Sequence, residues 1–171
     1  RWVQAFAALG PTEDDLIGIS IARLWRSTCI AFDLVAASSA FTAAERVSFL
    51  RKFAFIAEVA STGDAWPPTE TGLGRGNPNF HADFLTAKGI AAVLLNGHPK
   101  QAARLDQATA EAAHYLHNEH FDSGCAHEAA TYQFVSLSNM ILLSATLRHA
   151  GRADLFQVEP AMKRAFDFLA A

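Results

Sequence analysis

Gly76-Asn77-Pro78-Asn79-Phe80-His81 and, further on, Asn96-Gly97-His98-Pro99 bracket the stretch whose punctuation decides the fold. Asn77 suits a helix cap and Pro78 the first helical position, where a missing N–H costs nothing. Asn96-Gly97 is a stop signal and Pro99 a restart. A helix from Pro78 to about Leu95 is therefore predicted, and the short connection after it makes the next helix its antiparallel neighbour.

The same reading extends in both directions. Thr42-Ala43-Ala44-Glu45 is a capping box, in which hydroxyl and carboxylate each satisfy an orphan backbone donor, so a helix begins there and continues to about Ser61. Before it, about Asp14 to Ser39 is apolar on most of its circumference (Leu16, Ile17, Ile21, Leu24, Trp25, Ile30), the pattern of a helix packed on several sides. A first helix over about Trp2 to Leu9 ends at Gly10-Pro11, and the acidic Thr12-Glu13-Asp14-Asp15 favours the next start. Beyond Pro99 come helices over about Lys100 to His120 and Glu128 to Ala150, then a last one from near Pro160. No period-2 alternation persists, so the fold class is all-α.

Connection lengths alternate. The turns at Ala40 to Thr42 and Asn96 to Pro99 are short, whereas residues 62–77 and 121–127 form longer links. The longer ones and the Gly10-Pro11 turn are thus expected at one end of the molecule and the Gly97 turn at the other. The recurring antiparallel helical hairpins fit part of a layered (α/α) toroid or solenoid, and equally a closed bundle; periodicity does not separate them.

The 171 residues are 51% hydrophobic and 18% charged, which suits a single all-helical domain over 1–171. Both ends fall inside helical patterns and there is no initiator Met, so a piece of a larger protein is expected. A net charge of −3 and a pI of about 6.2 give no basic field for nucleic acid. Arg23, Arg26 and Asp33 interrupt the longest apolar stretch, which leaves no membrane span, and there is no signal-peptide pattern. Cys29 reads as a core residue, and its pairing with Cys125 does not follow from sequence.

With one hairpin between them, the Gly76–His81 segment and Gly124-Cys125-Ala126-His127-Glu128-Ala129-Ala130-Thr131-Tyr132 should meet at the same end. Asn79, His81 and Asp83 then lie in the first turns of a helix, where orphan N–H groups and the positive helix end favour anions. An Asn amide and an imidazole there can donate to a carboxylate, though a polar residue that merely decorates a helix end looks the same. Tyr132 follows Glu128 by four and shares its face. A free phenol titrates near pH 10, so a helix start or a neighbouring cation must favour phenolate if Tyr132 is to act as a base. The plainer roles are a first-turn dipole partner for Glu128 and an amphipathic core residue for Tyr132.

Arg75, between Gly74 and Gly76, can reach an anion from its loop, and Trp66 can stack on a sugar face or anchor the loop. That loop lacks the Lys-Ser or Lys-Thr ending of a nucleotide phosphate loop. His114, His117 and His120 recur every third residue near a helix C-terminus, where the dipole favours imidazolium in any case; no Cys or carboxylate completes a ligand spacing. Neither a metal nor a cofactor is expected.

Removing a proton alpha to a carboxylate requires the carboxylate to be neutralised first, and then a base and an acid within hydrogen-bond reach. Asn79, His81, His127, Tyr132 and Arg75 offer that inventory. At these residues the chain resembles the helical (α/α) toroid domain of alginate lyase and heparinase II/III-like polysaccharide lyases. In that family an Asn-His element after a long loop is followed, about fifty residues on, by a Gly-rich turn, a Glu and a Tyr; here 51 residues separate His81 from Tyr132. The resemblance implies that Asn79 and His81 neutralise a uronate carboxylate and that Tyr132 transfers the proton in β-elimination. Arg75, Trp66, His127, Glu128 and Asn77 would bind substrate.

The same resemblance implies an acidic polysaccharide partner, a β-sandwich domain in the full-length chain, and a periplasmic or secreted location. One departure stands out: Asn and His are usually adjacent in the family, but Phe80 separates them here. Both can face one carboxylate only if the helix starts after Asn79, with Asn79 as its cap. Two rivals differ in class. A glycoside hydrolase on a similar toroid needs two carboxylates at a defined separation, for which Asp64, Asp83 and Glu128 are the candidates. A non-catalytic helical scaffold needs none of these residues.

Overall fold

The computed structural model describes residues 19–59, 78–119, 123–125 and 129–171. Among them the helices are α1 (Ile19–Val35), α2 (Ala43–Val59), α3 (Pro78–Leu94), α4 (Gln101–Asn118), α5 (Ala130–His149), α6 (Leu155–Val158) and α7 (Pro160–Ala170), and no strand occurs. The expected first helix and the Gly10-Pro11 turn lie outside the described residues.

Local signals set most of the boundaries. Thr42 and Glu45 form the capping box: the Thr42 N–H donates to Glu45 Oε2 (2.8 Å) and the Glu45 N–H to Thr42 Oγ1 (3.2 Å). Helix α1 stops at Val35, earlier than the apolar pattern alone suggests. The chain turns there because Arg46 reaches back to the carbonyls of Ala36 (2.9 Å) and Ser38 (2.6 Å), which satisfies acceptors that would otherwise continue the helix. Glu159 caps α7 by accepting from the Ala161 N–H, and Pro160 takes the first position as predicted. The short α6 was not predicted; Asp154 caps it by accepting from the Phe156 N–H (3.1 Å).

Side-chain contacts give the direction of each helix. Arg23 and Arg26 of α1 meet Asp83 of α3, and further along Ile30 and Leu34 share a cleft with Ile90 and Leu94. Thr86 donates to the Asn139 carbonyl (3.1 Å), and about one turn further along both helices Leu143 sits against Gly89. Helices α1, α3 and α5 therefore run the same way, side by side. Helix α4 runs oppositely, for His81 meets Tyr115, Lys88 meets Glu111, and Gln101 donates to the Val93 carbonyl. Val47 and Leu50, early in α2, lie beside Leu95 to Pro99, so α2 also opposes α3.

Helix α3 is the centre of this arrangement and packs on α1, α2, α4 and α5. From Ala82 to Ala92 every residue of it is buried, as expected of a helix without an amphipathic stripe. Its small residues permit the close approach: the Leu143 side chain occupies the place that a β-carbon on Gly89 would need. An aromatic cluster joins α1 to α2, with Phe32 stacked on Phe49 (5.0 Å) and edge-on to Phe53 (5.0 Å), while Trp25 bridges Phe55 and Phe84. Each such pair adds about 0.5–1.5 kcal/mol beyond the area it buries. Cys29 is a fully buried free thiol in this core, as predicted, and burial pushes its pKa up.

The Gly97 turn and the α1–α2 turn thus share one end. The start of α3, residues 123–125 and the start of α5 share the other, the distribution that the connection lengths predict. Gly124 holds the 123–125 segment in place. Its φ of 88° is in the left-handed region, a β-carbon there would strike the Arg164 carbonyl of α7, and its own carbonyl accepts from Gln133 Nε2 of α5 (2.8 Å). Among the described residues no helix is long and apolar enough to cross a membrane.

Candidate functional site

Two faces of α3 carry the polar residues that its apolar surroundings would otherwise exclude. Asp83 lies on one. Its side chain is 0% exposed, and it accepts from Arg23 Nε (2.9 Å), Arg26 Nη1 (2.7 Å) and Asn139 Nδ2 (3.0 Å). Arg26 Nη1 also contacts Asn139 Oδ1. The logic is that of any buried charge: an isolated carboxylate cannot leave water without losing several kcal/mol, so it is fully paired. These groups floor an open cleft of about 730 Å³ between α1 and α5, walled by Ile30, Val135 and Leu142 and edged by Ser27 and Ser138.

Tyr132 belongs to this side. On α5 it precedes Val135 by three residues and Asn139 by seven, so it continues their stripe towards the start of the helix. Its side chain is half-exposed (52%), at the end of the molecule where α3 also starts. Asn79 precedes Asp83 by one turn on α3 and is buried.

His81 lies on the other face, directed at α4. Its ring meets Tyr115 edge-on with centroids 5.2 Å apart, and Nδ1 is sealed from solvent with no hydrogen-bond partner. Burial first, and then the nearby His114 and Lys88, lower its pKa from 6.5 to about 4. The imidazole is therefore neutral at physiological pH. Two turns on, the buried Lys88 ammonium pairs with Glu111 at 2.5 Å, and Gln107 donates to the other Glu111 oxygen (3.0 Å). Burial lowers the Lys88 pKa, and the Glu111 bond opposes that shift.

This geometry corrects one expectation. Asn79 and His81 could hold one carboxylate together only with Asn79 as the helix cap, but α3 begins at Pro78. Two residues apart within a helix, they point nearly opposite ways. Asn77, Arg75, Trp66, His127, Glu128 and Asp64 lie outside the described residues, as does His120. Of the remaining histidines of that triplet, His114 and His117 are exposed, and among the described residues no group of three His, Cys, Asp or Glu is placed to hold a metal ion.

Arg23, Arg26 and Asn139 were missed as site residues by the reading of the chain. A signal was present: two arginines three apart share one face of an otherwise apolar helix and need a buried partner. Comparison of the chain with protein-family models, curated proteins and solved structures gives no match.

The state of His81 has a measurable consequence. Its folded pKa of about 4 lies below its ordinary 6.5, so between those values the unfolded chain binds more protons than the native one. Stability should be full above pH 6.5, fall by up to about 3 kcal/mol as the pH drops to 4, and level off below. His81→Leu should flatten that segment of a denaturation-midpoint profile; an unchanged slope would show that His81 does not cause it.

Proposed function

We propose that this chain is part of an (α/α) toroid domain of a polysaccharide lyase that cleaves an acidic, uronate-containing polysaccharide by β-elimination. Parallel α1, α3 and α5, with α2 and α4 running oppositely against α3, suit one sector of such a toroid. The observation that carries the reading is the meeting of the α3 and α5 starts at one end, with the half-exposed Tyr132 on the same stripe of α5 as Val135 and Asn139, which line the arginine cleft.

In the reaction the proton alpha to the carboxylate leaves, its electron pair forms a carbon–carbon double bond, and the glycosidic C–O bond breaks as its oxygen takes up a proton. Tyr132 is the group proposed to transfer the proton. His81, neutral and turned towards α4, faces away from the Tyr132 side, so this reading leaves the carboxylate to be neutralised by other groups. The hydrolase alternative is weaker at Asp83, since it is buried and both its oxygens already accept from Arg23, Arg26 and Asn139 inside the protein. The test is to incubate the protein with a panel of uronate polymers and follow the absorbance of the unsaturated product. Rising absorbance supports the lyase; cleavage without it supports a hydrolase, and no cleavage of any polymer favours a non-catalytic scaffold.

A further inference from the structure

The cleft between α1 and α5 holds more positive charge than its own architecture needs. One carboxylate, Asp83, faces two guanidinium groups, so the cluster at its floor carries a net charge of about +1, and among the described residues no other acid lines this cleft. The bonds to Asp83 and Asn139 use Nε of Arg23 and Nη1 of Arg26. A guanidinium has five N–H donors in a planar fork, so both Nη groups of Arg23 and the Nη2 group of Arg26 retain donor capacity. The side chains of Arg23 and Arg26 are 46% and 24% exposed while Asp83 is 0% exposed, which puts the cations, and not the anion, at the solvent side.

Asp83 also fixes both arginines in place, and a donor already held in position loses little entropy when a ligand arrives. The walls are apolar at Ile30, Val135 and Leu142, which weakens competition from water for the charged floor. Ile30 and Leu142 continue into a second cleft of about 220 Å³ lined by Leu34, Ile90, Val93 and Leu94, with Asp33 and Thr146 as its polar residues. The ligand chemistry that fits is one carboxylate on a body with an apolar face, its head at the arginines and its body along the α1–α5 groove.

We infer that this cleft is a binding site for a carboxylate-bearing ligand, held by Arg23 and Arg26. The inference stands without the lyase reading, since it uses neither Tyr132 nor any bond cleavage. A sugar acid and an acyl carboxylate share the required chemistry, and the experiment separates them.

The full chain, isotopically labelled, is titrated with D-glucuronate, with octanoate and with uncharged D-glucose while amide resonances are followed by NMR. At least one carboxylate should bind and shift Ser27, Val135 and Ser138, and glucose should not. Arg23→Gln should weaken that binding about tenfold or more, the effect of losing charge-assisted hydrogen bonds. Ser138→Trp, which fills the cleft from its exposed rim and leaves the arginines in place, should abolish it. Octanoate binding without glucuronate binding supports the site and counts against a sugar-acid substrate. Failure of both carboxylates to bind, equal binding of glucose and glucuronate, or binding untouched by both substitutions overturns the inference.

Discussion

Asp83→Ala should destabilise the protein by about 3–5 kcal/mol, because removing one partner of a buried ionic cluster leaves the others uncompensated. The substitution deletes three hydrogen bonds, from Arg23, Arg26 and Asn139. Arg23 and, in part, Arg26 can turn to water, but Asn139 is 2% exposed, so its amide does not regain the bond it loses. Against a total of about 5–15 kcal/mol for a domain, that is a large share. A urea titration would show it as a lower midpoint with an unchanged slope. A cost below about 1 kcal/mol would mean that solvent already screens the cluster, and the fixed arrangement of the arginines would lose its basis. Asp83 was a candidate catalytic acid for the hydrolase alternative, but its burial makes loss of the clamp the expected cause of any lost activity. Activity and stability therefore need to be measured on the same variant.

The contrast between what was and was not legible follows from how far apart the partners lie in the chain. The Thr42–Glu45 box, the Pro78 start and the Asn96-Gly97 stop each act within a few residues, so the sequence displays cause and effect together. Parity carried that local reading one step further: counting short and long connections placed the α3 and α5 starts at one end. The Arg23–Asp83–Arg26–Asn139 cluster is of another kind, since its bonds span 60, 57, 113 and 56 residues. No local pattern pairs those groups; only the requirement that a charge on an apolar helix be met by another one hints at them. His81 shows a third limit. Its place in the first turns was legible, but which neighbour it faces depends on whether α3 starts before or after Asn79, and one residue at a helix boundary rotates a side chain by about 100°.

Tyr132→Phe should leave the fold intact and remove most turnover. The ring stays and only the hydroxyl of a half-exposed residue is lost, so the stability change should remain within about 0.5 kcal/mol. A positioned proton-transfer group contributes about 10²- to 10⁴-fold to rate, and the loss on a uronate polymer should fall in that range. Because the hydroxyl matters in the transition state and not in substrate binding, kcat and kcat/KM should drop together with KM nearly unchanged. Initial rates of absorbance rise from the unsaturated product, measured over a series of polymer concentrations, separate these quantities. A raised KM with unchanged kcat would make Tyr132 a binding residue, and full activity would end the lyase reading. Comparison with Arg23→Gln on the same polymer adds the second coordinate. If the arginine cleft seats the uronate carboxylate that Tyr132 works beside, Arg23→Gln should also slow turnover, since a carbanion forming next to a less well neutralised carboxylate is less stable. If Arg23→Gln leaves turnover untouched while Tyr132→Phe abolishes it, the cleft is a separate site and the carboxylate is held elsewhere on the substrate path.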